Sequence, residues 1–164
     1  MAKQAGWVCA AVVSLAACGG GGGGGVTATP SGPLLQVAGA YDIRKSVIEE
    51  TCGLSRPGDV FTNPGTVAHA PGAADFVLND HGTRDLPGTV RRDGGFDLRP
   101  QSSVVMGTIP ATDTFENGRF TATGFALRVT TVLQRSPVAD APAGPCRVVT
   151  LWDGTKQGGP NVIP

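Results

Sequence analysis

Few side chains in this 164-residue chain could move a proton or hold a metal, and only two of them are histidines, His69 and His81. His81 stands directly before a glycine and reads as a turn residue. His69 alternates with Val67 and can face an interior, where a hydrogen-bonded structural ring is the plain expectation and a site residue the sharper one. Neither belongs to an HExxH pair or a His/Cys cluster, so hydrolysis by a bound metal lacks a ligand set. Asp75, Asp80, Asp85, Asp93 and Asp97 scatter carboxylates across the middle of the chain. Glycoside hydrolysis needs two of them about 5 to 10 Å apart across a cleft, but no spacing singles out a pair, and turn or outer-face positions are expected. No serine lies in a GxSxG elbow, and the GxG fragments follow no strand-to-helix step. The chain is therefore read as a nonenzyme, with no catalytic residue, cofactor or metal ligand assigned.

More specific chemistry stands at the N-terminus. One positive side chain, Lys3, precedes an apolar run of about 13 residues from Ala5 to Ala17, which ends at Cys18 and a glycine tract. This is the three-part layout of an export signal, and the run is shorter than the roughly 20 residues that span a bilayer as a helix. Leu15-Ala16-Ala17-Cys18 resembles the lipobox of bacterial lipoproteins. The resemblance implies that residues 1–17 are cleaved, that Cys18 carries a thioether-linked diacylglycerol, and that the membrane is a partner through this anchor. The alternatives are an ordinary secretory signal cut beside a cysteine, or modification at Cys9, which lacks the small residues placed before it. In that family the residue after the cysteine influences sorting, and Gly19 is not the aspartate of inner-membrane retention. The implied location is the cell envelope, on the outer membrane if the source has two membranes.

Loss of the signal removes Lys3 and no acid, leaving 12 basic side chains against 13 acidic ones. Without a basic stripe, nucleic acid is not an expected partner. Residues 18–35, rich in glycine and then in polar residues and proline, read as a flexible tether; 15 such residues reach roughly 20 Å on average. The domain is expected over 36–158, with a tail at 159–164. If Cys9 leaves with the signal and Cys18 is lipidated, Cys52 and Cys146 remain, and an exported pair is expected to form a disulfide rather than stay as free thiols.

The elements that must carry these residues show period two rather than 3.6. Tyr41 and Ile43 alternate with Asp42 and Arg44, Phe76 and Leu78 with Asp75 and Asn79, and Phe96 and Leu98 flank Asp97, so one face is dry and one wet. Pro71-Gly72, His81-Gly82, Asp93-Gly94, Asn117-Gly118 and Asp153-Gly154 read as turns, with one more near Pro100-Gln101-Ser102. In the stretch 119–133 the alternation changes phase at Thr123-Gly124, which reads as a bulge. About eight strands follow, near 38–51, 64–70, 74–79, 84–91, 95–99, 103–115, 118–134 and 146–156.

The expected fold is all-β: an antiparallel up-and-down meander closing into a small barrel, with a β-sandwich as the alternative. Cys52 at the end of the first strand and Cys146 at the start of the last would then lie side by side across the seam. Gly65 to Leu98, with its Asn79-Asp80-His81-Gly82, Leu86-Pro87-Gly88-Thr89-Val90 and Asp93-Gly94-Gly95-Phe96 segments, resembles small exported barrels of the avidin and lipocalin type. The resemblance implies architecture only, since no ligand motif of those families matches. Tyr41 and Trp152 could stack on a ligand at the barrel mouth or fill the core. The functional expectation is a noncatalytic binding module for a small apolar ligand or an envelope protein. The alternative is a structural or assembly-related lipoprotein with a filled barrel.

Overall fold

The computed structural model describes residues 34–82, 84–139 and 143–164. The lipobox, Cys18 and the glycine tract lie outside them. Nine strands and no helix occur among the described residues: β1 Gly39–Glu50, β2 Val60–His69, β3 Asp75–Asp80, β4 Arg84–Val90, β5 Gly95–Leu98, β6 Gln101–Val105, β7 Ile109–Thr121, β8 Gly124–Leu133 and β9 Cys146–Lys156. All pair antiparallel in the order β5-β4-β3-β2-β1-β9-β8-β7-β6, and β5 also pairs with β7. That last pairing, Gly95 with Arg119 and Phe96 with Gly118, closes eight strands into a barrel and leaves β6 as an extra strand on β7. Closure excludes the sandwich. It follows from the edge problem, since a meander this long must dispose of its unpaired backbone groups.

β1 and β9, first and last in the chain, are neighbours over most of their length. Just beyond this seam Cys52 and Cys146 form a disulfide, with Cα atoms 5.1 Å apart. It packs with Ile109, Ala111 and Leu133 in a small apolar cluster.

Several expected boundaries are corrected. Asn117-Gly118, read as a hairpin turn, is a bulge inside β7, where the pairing with β8 slips between Glu116 and Arg119 and Asn117 has φ of 56°. The two-residue turn is Ala122-Thr123, where a bulge was expected, with Thr121 facing Gly124 across it. A bulge and a tight turn both need positive φ or a phase change, and alternation alone does not separate them. The bend lets the first half of β7 pair with β6 and the second half with β5. The expected strand 103–115 is divided by the turn at Met106-Gly107, hidden by an apolar run. The chain does pass from β5 to β6 near the turn expected at Pro100. Asp153-Gly154, expected as a turn, lies inside β9, where a Cβ on Gly154 would collide with the Phe125 ring.

β2 begins at Val60 rather than after Pro64. Proline survives in a strand where its nitrogen meets no ladder partner. The carbonyls of Pro64, Pro87 and Pro110 point away from β1, β3 and β6 and accept from the amides of His81, Arg99 and Gln134. These prolines mark places where a neighbouring strand is ending.

The core fills one end of the barrel. Tyr41, Phe76, Phe96, Phe120 and Phe125 interlock with ring centroids 4.6 to 6.2 Å apart, in tilted and edge-on geometries, the arrangement their quadrupoles favour. Ile43, Leu78, Leu86 and Leu127 complete this cluster. The ends of the described chain close it over. Leu35, at the limit of the expected tether, and Val37 are buried in the cluster, Gln36 pairs with Val162, and Ile163 of the expected tail packs on the same residues. The opposite end is looser: Val60 to Asn63 of β2 pair only with β1, and β6 pairs only with β7.

Candidate functional site

Between the aromatic cluster and the apolar cluster at the disulfide, several inward-facing positions are charged. Along β1 the series Tyr41, Ile43, Lys45, Val47 shares one face; along β3 it is Phe76, Leu78, Asp80; along β4, Arg84, Leu86; along β7, Ile109, Ala111, Asp113. Each strand places one charge on its inner face, because side chains two apart point the same way, and on β1 and β7 the buried Val47, Ile109 and Ala111 lie beyond it toward the disulfide. Lys45 Nζ lies 2.7 Å from both Asp80 carboxylate oxygens and 4.0 Å above the Trp152 ring centroid. Arg84 Nη1 donates to Asp113, and Thr131 Oγ1 donates to the other oxygen of that carboxylate. The network ties β1 to β3 and β4 to β7 and β8, across strands that are not all neighbours.

Burial is uneven across it. Asp113 keeps 3% of its side chain exposed and Arg84 keeps 29%, so solvent reaches this pair through the arginine. Arg84 Nε is buried and has no acceptor among the described residues. Phe61 stands opposite Lys45 on β2, shares its face, and is half exposed at the rim.

The residues singled out from sequence do not converge. His69 is a structural pin: Nδ1 accepts from the Val37 amide at 3.4 Å and Nε2 lies 3.0 Å from the Ala73 carbonyl. His81 is an exposed turn residue with φ of 56°. Asp75, Asp85, Asp93 and Asp97 are exposed; Asp85 accepts from Asn79, Asp93 from the Gly95 amide, and Asp97 pairs with Arg91. Asp80, expected at a turn or outer face, instead points inward and is buried. Tyr41 and Trp152 are buried, at 1% and 4% exposure, which assigns them to the core rather than to an aromatic platform. Trp152 Nε1 donates to Thr150 within the sheet face. Burial pushes the Tyr41 hydroxyl up to about 12.

Sequence reading missed Lys45, Arg84, Asp113 and Phe61. The signal that could have found them is a charged residue in the dry phase of a strand, as in Tyr41-x-Ile43-x-Lys45-x-Val47. No protein-family model, no curated protein and no solved structure matches this chain.

Proposed function

We propose that this chain is a lipid-anchored protein of the bacterial envelope, on the outer membrane where there are two, whose barrel is a noncatalytic binding module working where its inward-facing charges meet solvent. The observation that carries the reading is the inward-facing network Lys45–Asp80 and Arg84–Asp113. Burying two cations and two anions costs desolvation that apolar residues would avoid, so such pairs are weak devices for stability. Placed at a solvent-reachable mouth, they suit recognition of a polar group. The strand directions support the same polarity. The chain comes into the domain at Leu34 and Leu35, by the aromatic end, whereas Asp80 and Arg84 flank the β3–β4 connection at the other end of those two strands.

The aromatic end, filled by the chain's own rings, weighs against a wholly apolar ligand inside the barrel. It also favours the second reading, a structural barrel. Native mass spectrometry of the full mature protein purified from its own envelope separates the two. A retained ligand mass, lost on Arg84 or Lys45 substitution, is the expected result. A bare protein mass under the same conditions would favour the structural barrel.

A further inference from the structure

We infer that Arg84 is the anchoring point for an oxyanion, a carboxylate or phosphate group borne on a small organic molecule that approaches from the solvent side of this arginine. This rests on the binding-module reading and gives its site a chemistry. Guanidinium groups receive carboxylates and phosphates through two parallel N–H donors. In this barrel Nη1 is committed to Asp113, while Nε on the opposite edge is buried with no acceptor among the described residues. Native interiors rarely leave a buried donor unmet without a ligand, ion or water to explain it.

The surroundings sharpen the assignment. Asp113 holds the guanidinium from behind, is itself held by Thr131, and is almost fully buried. It therefore orients Arg84 without competing for solvent-borne groups. Lys45 is occupied twice over, by both oxygens of Asp80 and by the Trp152 face, so it serves less readily as the anchor. Asp80 stands beside Arg84 in the β3–β4 pairing. With Lys45 and Asp113 it makes the four charges sum to zero, so recognition rests on the donor geometry of one guanidinium and not on a positive field. Phe61 at the rim offers apolar surface to the body of the molecule.

The test is nuclear magnetic resonance of the Arg84 Nε–H group in the full chain, held in detergent solution and titrated with benzoate, inorganic phosphate and benzyl alcohol. Benzoate or phosphate is expected to shift the Arg84 Nε–H signal saturably and slow its exchange with water at least tenfold. Whichever acts names the oxyanion. Benzyl alcohol, with the same ring and no charge, should not. Arg84→Lys keeps a cation for Asp113 but loses the fork, and should abolish binding in a chain that still folds. Arg91→Lys, an exposed arginine paired with Asp97, should leave it intact. A silent Arg84 signal with both anions, or equal response to benzyl alcohol, overturns the assignment. If the protein from its own envelope still carries a ligand mass in that case, only this assignment fails; if it carries none, the binding-module reading fails with it.

Discussion

The hydroxyl of Tyr41 lies 2.8 Å from Oδ1 of Asn161, 120 residues further along the chain, and 2.6 Å from the carbonyl of Val37. Asn161 is held in this orientation because its amide nitrogen donates to the carbonyls of Thr121 and Gly124, at 2.7 and 3.2 Å. One buried hydroxyl thus joins the first strand, the incoming chain and the last residues at the aromatic end. Asn161→Leu would take one donor from each of these carbonyls and an acceptor from the buried hydroxyl, and we expect a loss of about 2 to 3 kcal/mol in chemical denaturation.

The same hydroxyl sets an alkaline limit. Its value in the fold, about 12, lies above the ordinary 10, so the folded protein holds this proton more tightly than the unfolded chain. The contribution is fully present below pH 10 and is lost as pH rises from there through about 12, amounting to about 2 to 3 kcal/mol. Tyr41→Phe should be less stable at pH 7 and should lack that part of the alkaline decline. Denaturant midpoints measured from pH 7 to 12 for both proteins check it; parallel curves would refute the linkage.

Asp113→Ala should cost about 2 to 4 kcal/mol, because it strands a partly buried guanidinium. Exchanging both partners, Arg84→Met with Asp113→Leu, should recover most of that loss or exceed the parent. Urea unfolding of the single and double variants decides it. Recovery would show that the charges are kept for something other than stability.

Reduction of Cys52–Cys146, or Cys146→Ser, should lower stability by about 4 kcal/mol on the chain-entropy account of a bridge 94 residues apart. The β signature should persist, because the seam is also held by the β1–β9 ladder. Amide exchange should still protect both strands, and rapid exchange along either one would show that the bridge, not the ladder, closes the barrel.

Cys18→Ser should yield a precursor without diacylglycerol that no longer partitions into a detergent phase, since serine cannot form the thioether and each buried CH₂ contributes about 0.8 kcal/mol. Mass spectrometry and phase partitioning report the outcome; a lipidated, membrane-bound Cys18→Ser protein would refute the lipobox reading.

Much of the fold was legible because period two is a local property. Tyr41-x-Ile43, Phe76-x-Leu78 and Phe96-x-Leu98 each mark a dry face without reference to any other strand, and a long antiparallel meander then has to close. Pairing Cys52 with Cys146 needed only the count of cysteines and a first-to-last seam. What local pattern could not separate was a bulge from a tight turn, since either one changes the phase of the alternation. Asn117-Gly118 and Thr123-Gly124 exchange their expected roles because bend and turn make the same local demand, and only the need for β7 to serve both β5 and β6 chooses between them. The site was hidden for a related reason. Lys45, Asp80, Arg84 and Asp113 read singly as charges on strands or at turns, and nothing in their spacing says that four strands bring them to one end of one barrel. Burial is a property of the closed sheet, and it was closure that turned four scattered charges into two inward-facing pairs.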